Sequence, residues 1–247
     1  MTPPAHDSCV VAIHQPEFLP WLGFLNKLHQ CDTFVLLDHV QFEKNYFQNR
    51  NRIRTATPHG WSWLTVPILT KGRFGQAICE VEMNESTDWR RKHLEAFRLH
   101  YAKAPAFEEY GPFLQAQYEK PWRRLTDFSM TLIEWIARSF GLERKILRSS
   151  EMGVGGARSR LLLSICEKVG ATEYLSGISG RNYLETNLFE ERGIRVRFQE
   201  FHHPVYRQCY EPFVPGLSSM DLLFNHGGQA GEILAGDRTP RMDVLFT

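Results

Sequence analysis

The chain has 247 residues, of which 43% are hydrophobic and 23% charged, with a formal net charge of +1. This is the composition of a globular protein rather than a disordered one, and it offers no global attraction to a polyanion. The apolar runs are too short to cross a bilayer, and the polar start Met1 to Ser8, with Pro3 and Pro4, lacks the basic and apolar parts of a signal peptide. The five cysteines (Cys9, Cys31, Cys79, Cys166, Cys209) are scattered, odd in number and free of any C-x-x-C spacing. They read as ordinary thiols of a reduced compartment, so a cytoplasmic protein without membrane insertion is expected.

In chain order, Cys9 to Ile13 is an apolar run that predicts a buried strand. It meets His14-Gln15 and then Pro16 and Pro20, which fix φ, remove amide donors and force a rigid turn. Helical periodicity resumes from Trp21, and Thr33 to Asp38 predicts a second strand. The spacing is that of a βαβ unit, so the two strands are expected to be parallel and to end at one edge, His14 beside Asp38. Lys44 to Arg54 reads as a basic, amide-rich loop (Lys44, Arg50, Asn51, Arg52, Arg54) interleaved with Tyr46 and Phe47. Such a mixture suits phosphate and base or sugar recognition, while composition alone favours a solvated loop.

Trp61 to Ile68 predicts a third strand, Thr70 to Gly75 a glycine-containing loop carrying Lys71 and Arg73, and Ala77 to Val81 a short strand. Helices are expected from about Asp88 to His100, from Pro112 to Tyr118 and from Leu125 to Phe140. The aromatic residues in these helices fall at helical spacing and read as core. Lys145 to Arg148 predicts a strand and Ala157 to Val169 a helix. Glu173 to Ser176 is the next strand, then a small polar turn Gly177 to Asn182 and a helix from Tyr183 to Glu191. Ile194 to Phe201 is the last strand before the polar cluster His202 to Gln208, and Ser218 to Asp221 opens a final helix. The alternation predicts an α/β fold: a Rossmann-like, mostly parallel sheet with helices on both faces. No composition break divides the chain, so residues 1–247 are expected to form a single domain with a helical insertion over about residues 88–140.

The phosphate-loop, dinucleotide and zinc-protease signatures are absent, Arg181 spoils a nucleophile-elbow spacing around Ser179, and no metal site is expected. What remains is three polar turns that each follow an apolar strand: His14-Gln15-Pro16, Asp38 to Gln41, and Ser176 to Asn182. Parallel strands bring such turns to one edge, where ligands of open α/β sheets bind. Gly177, Ser179 and Gly180 are small enough for backbone amides to approach an anion. His14 alone would read as a buried strand-end histidine; with the other two turns it reads as part of a ligand site.

Several strings resemble the WbqC-like family: Ile13 to Phe24, Asp38 to Phe42, Asn49 to Asn51, Trp63 to Pro67, Tyr174 to Gly177, Tyr183-Leu184, His203 to Tyr206 with Gln208, and Leu217 to Asn225. The resemblance covers nearly the whole chain. It implies a transferase of bacterial surface-polysaccharide (O-antigen) biosynthesis that places an aminoacyl group, glycine in particular, on the amino group of a nucleotide-linked amino sugar. A second resemblance joins His14 to Phe42, and Ser179 to Leu184, to nucleotide-binding ligases of the pantothenate synthetase type. It implies ATP with magnesium and an acyl-adenylate, but Glu17 stands where those enzymes carry a second histidine. Amide formation needs a base for the amine and donors for the oxyanion. His14 or His203 are the candidate bases, with Asp38 orienting a histidine or holding substrate. Gln15, Asn51 and the Gly177 amides are candidate oxyanion donors. Arg50, Lys71 and Arg181 are the candidates for the pyrophosphate, and Gln41 and Lys44 are further candidate substrate- or nucleotide-binding residues. Trp21 reads as a stacking residue; Tyr183, Tyr206 and Gln208 enter through the family strings. The donor is glycine or another acyl group, free, on a carrier or on a transfer RNA. A non-catalytic nucleotide-sugar binding protein is the remaining alternative.

Overall fold

A computed structural model describes residues 8–236 and 240–244; the polar N-terminal stretch, apart from Ser8, lies outside the described residues. The first half contains β1 (Val10–His14), α1 (Leu22–His29), β2 (Thr33–Leu36), β3 (Arg50–Arg54), β4 (Trp61–Thr65), α2 (Trp89–Tyr101), α3 (Phe107–Glu119) and α4 (Leu125–Ser139). The second half contains β5 (Lys145–Arg148), α5 (Ser159–Lys168), β6 (Glu173–Ser176), α6 (Thr186–Glu190), β7 (Arg195–Phe198), β8 (His203–Pro204), α7 (Met220–His226), α8 (Ala230–Ala235) and β9 (Arg241–Met242).

These elements gather into two compact units. One comprises Met1–His14, Lys27–Leu37 and Arg144–Glu200. Its sheet has five parallel strands in the order β5-β2-β1-β6-β7, with Ala12 opposite Phe34 on one side and Leu175 on the other. Val11, Ala12 and Ile13 are all buried. Successive strand residues point to opposite faces, so both faces of the sheet centre are covered, as the unbroken apolar run predicts. The edge strands β5 and β7 carry Lys145, Arg148, Arg195 and Arg197, which discourage further pairing. Arg197 donates to Glu173 at 2.6 Å and to Gln30 at 2.7 Å. The chain runs outward through β1, β2 and β5, then returns to the other side of β1 for β6 and β7. This is the Rossmann-like α/β fold expected from the sequence, with the reversal of strand order between β1 and β6.

The other unit comprises Gln15–Asn26, Asp38–Glu143 and Phe201–Thr247. Helices α2 and α4 bring Trp89, His93 and Phe128 against Phe18 and Tyr118, ring centroids 5.2–6.1 Å apart. Leu125, Phe128, Leu132 and Ile136 are buried at helical spacing, so this stripe is core. Two local expectations change here. The segment read as a solvated loop contains β3, and Trp61 to Thr65 pairs antiparallel with it rather than joining the parallel sheet. Ala77 to Val81 forms a 3-10 turn at Ile78–Glu80 instead of a strand.

Candidate functional site

In the first unit, β1 ends at His14 and β6 ends at Ser176, side by side at the point where the strand order reverses. Ligands of open α/β sheets bind in the crevice at that edge because the connections on either side of it diverge. The Leu37 amide donates to the His14 carbonyl at 2.8 Å and the Gln199 amide to the Ser176 carbonyl at 2.8 Å, so the ladder continues to the rim. His14 is half-buried there.

The turn after Ser176 is a 3-10 segment, Ile178–Asn182, and the helix expected from Tyr183 begins at Thr186. Its two glycines have different causes. A Cβ on Gly180 would lie 2.2 Å from Ser176 Oγ and 3.3 Å from the Phe198 ring, so Gly180 is required by packing within the turn. A Cβ on Gly177 would lie 3.2 Å from Lys27 Nζ. Lys27, in the last turn of α1, is only 4% exposed, which is unusual for a lysine. The absent side chain of Gly177 leaves room for that ammonium at the end of β6. Sequence reasoning missed Lys27. The available signal was its place three residues after Phe24 and next to Leu28, on the inner stripe of α1. Ser179, Arg181 and Tyr183 are exposed on the same turn. Arg181 lies 3.5 Å from Glu200 and over the Phe198 ring, a solvent-screened arrangement that leaves its charge available.

Most of the other predicted residues belong to the second unit. Asp38 is fully buried, two residues past the end of β2, and its carbonyl accepts the Cys79 amide at 2.7 Å. Gln15 accepts from Gln48 Nε2 at 2.7 Å, and Trp21 packs edge-on against Phe201. Gln41, Lys44 and Lys71 are exposed. Asn51 is fully buried and donates to the Leu19 and Phe18 carbonyls. Leu19 has a positive φ of 47°, so Asn51 pins a turn that a non-glycine residue adopts at a cost. That duty leaves Asn51 unsuited to an oxyanion.

His203 is a correction. It is 1% exposed, its Nδ1 donates to the Pro204 carbonyl at 2.7 Å, and its Nε2 accepts the Gly216 amide at 3.2 Å. Burial pushes its pKa down to about 4. A neutral imidazole whose lone pair already accepts a hydrogen bond has no site for a substrate proton, so the base role expected of His203 does not fit. Tyr206 and Gln208 are likewise internal. With Tyr101 they donate to the fully buried Asp221 at 2.8–2.9 Å, and the Arg54 amide donates to the Tyr101 hydroxyl. Burial pushes Asp221 up to about 6, opposed by these hydrogen bonds and by the Arg54 charge. This network joins α2, β3 and α7 and is scaffold.

The β3–β4 hairpin, also in the second unit, holds the Arg50 guanidinium 4.1 Å over the Trp63 ring. Among the described residues no group of three or more histidine, cysteine or acidic side chains is placed to hold a metal ion. No helix of the described residues is long and apolar enough to cross a membrane.

Comparison with known proteins assigns the sequence to a family. Residues 15–233 match the model of the WbqC-like protein family. The chain is also similar to the uncharacterized protein Rv1507c of Mycobacterium tuberculosis, 34% identical over 226 residues, which cover 91% of this chain and 96% of that one. No solved structure matches. The family-model match over residues 15–233, most of the length, makes this chain a member of the WbqC-like protein family.

Proposed function

We propose that the protein is a cytoplasmic transferase that forms an amide between an acyl donor, glycine in particular, and the amino group of a nucleotide-linked amino sugar used in surface polysaccharide. The observation that carries the reading is the switch-point edge, where His14 ends β1 and the buried Lys27 of α1 reaches Gly177 just past the end of the neighbouring β6. The substrate class is what the resemblance of the sequence strings to that family implies.

In this reading the sugar amine attacks the acyl carbonyl. The new C–N bond forms as the donor's leaving group departs with its electron pair, and His14 passes the amine proton to that leaving group. An imidazole suits both halves because it exchanges protons near neutral pH. Lys27 holds an anionic oxygen of substrate or donor by charge-assisted hydrogen bonds, and Arg181 adds a second cation at the rim.

The test is incubation with a panel of nucleotide amino sugars and glycine, with and without ATP and magnesium, and with glycine supplied on carriers or transfer RNA. The expected product is the sugar nucleotide heavier by one glycyl group in mass spectrometry. His14→Ala should lower turnover by about 10²–10⁴-fold with the fold unchanged by circular dichroism. Full turnover in that variant, or no product from any donor, overturns the reading. Product only with ATP and release of pyrophosphate assigns the adenylating route; product without ATP excludes it.

A further inference from the structure

The β3–β4 hairpin is more than a connection. Register pairs Arg50 with Thr65, Arg52 with Trp63 and Arg54 with Trp61, so alternation places three arginines and two tryptophans on one face. Arg54 turns inward to the Thr55, Gly60 and Pro212 carbonyls. The other four side chains stay half-buried and interleave: Arg50 lies over Trp63, and Arg52 lies 5.2 Å from the Trp61 ring and 5.7 Å from Trp63. Arg52 is anchored by donation to the Gly216 carbonyl at 3.1 Å.

Arg50 differs. Among the described residues its guanidinium makes no hydrogen bond or ion pair, whereas Arg52 and Arg54, whose Nε atoms are likewise buried without an acceptor, donate through their terminal nitrogens. Leaving a buried donor unsatisfied is costly, and a planar fork of donors is matched by a phosphate or carboxylate. Aromatic rings continue outward from the same place. Phe47 lies 6.0 Å from Trp63, and Tyr46, 5.4 Å from Phe47, is 52% exposed. A guanidinium lacking an anion, joined through the Trp63 and Phe47 rings to the exposed Tyr46, offers a group for a phosphate and a ring for a base on one surface.

We infer that the β3–β4 hairpin binds the nucleoside diphosphate part of a small nucleotide, Arg50 holding the phosphates and Tyr46 stacking on the base. This deepens the nucleotide-sugar reading and rests on it for the ligand class.

The experiment is titration of the whole protein with UDP, uridine and inorganic pyrophosphate by calorimetry and tryptophan fluorescence. Nucleoside diphosphates of the other four common bases are added as a panel. Arg50→Gln should weaken UDP and pyrophosphate binding about tenfold or more while sparing uridine. Tyr46→Ala should weaken UDP and uridine several-fold and spare pyrophosphate. Tyr46 is exposed, so its variant does not threaten folding; circular dichroism and the thermal midpoint check both proteins. If wild type binds UDP and both variants bind it equally well, the hairpin inference is overturned while aminoacylation of a sugar nucleotide can still stand. If no nucleoside diphosphate of the panel binds, the hairpin inference fails; absence of an acylated product as well removes the nucleotide-sugar reading itself. Binding of a short single-stranded RNA without binding of any mononucleotide also overturns it.

Discussion

Lys27 shows what a single residue contributes at the sheet edge. Its ammonium is buried against Gly177, and burying an ammonium is expensive unless an opposite charge or several acceptors compensate. Lys27→Met keeps the aliphatic stem and removes the charge. The expected result is a KM for the nucleotide sugar raised about tenfold, with kcat less affected. Lower stability in urea with KM unchanged would make Lys27 a structural cation instead. A second residue-scale effect is pH-dependent stability. Burial pushes His93 and His203 down to about 4 from an ordinary 6.5. The folded state therefore binds fewer protons than the unfolded one in that window. The stability these histidines lend above 6.5 is lost as pH falls towards 4. Asp221 acts in the opposite sense: its folded value of about 6 exceeds the ordinary 3.8, so its contribution is greatest in acid and is lost as pH rises through 6. Two histidines outweigh one carboxyl, so the protein should lose stability on acidification below pH 6.5. Asp221→Asn should make that loss steeper, as read by urea unfolding at successive pH values. A flatter profile in the variant would contradict the assignment.

At the scale of elements, the turn after β6 and the hairpin depend on close approach. Gly180→Ala sets a Cβ 2.2 Å from Ser176 Oγ, so that either the Ser176 side chain rotates or the turn moves. Overpacking of this kind costs about 1–3 kcal/mol. Removing the hydroxyl in a Ser176→Ala, Gly180→Ala double variant should recover part of that loss, because the nearest clash is with Oγ. A double-mutant cycle by denaturant unfolding measures the coupling, and additive losses would place the clash elsewhere. The same two elements show how legible the sequence was. Glu173 to Ser176 announced itself as a short apolar strand with small residues after it. Arg50 to Arg54 did not, because three arginines in five residues outweigh the β preference of Ile53. The period-2 alternation of arginine with Asn51 and Ile53 was the usable sign. Its partner was read correctly as a strand but assigned to the wrong sheet, since an antiparallel neighbour cannot be told from a parallel one by composition.

For the molecule as a whole, the five cysteines are free, and two of them, Cys31 and Cys166, are buried with thiols pushed up to about 12 by burial. The thiolate is the reactive form, so these two should resist a thiol reagent in the native protein and react with it only on unfolding, while partly exposed Cys9, Cys79 and Cys209 react earlier. Counting modified cysteines by mass spectrometry against time checks this, and early labelling of Cys31 or Cys166 would contradict it. The sequence by itself determined the Rossmann-like class, because apolar strands alternating with amphipathic helices leave few other ways to bury both faces of a sheet. It also marked His14 and Ser176 to Asn182 as strand-end turns, and it carried the family strings. Only the tertiary structure decided which strands are neighbours, and therefore that His14 and Ser176 flank the switch point while β3 and β4 stand apart as a hairpin. Only the structure separated His203 and Asn51, whose polar atoms are spent inside the fold, from Arg50, whose guanidinium makes no hydrogen bond among the described residues. The physical reason is that hydrogen-bond satisfaction is a property of packed neighbours distant in sequence, and no local pattern of residue types records it.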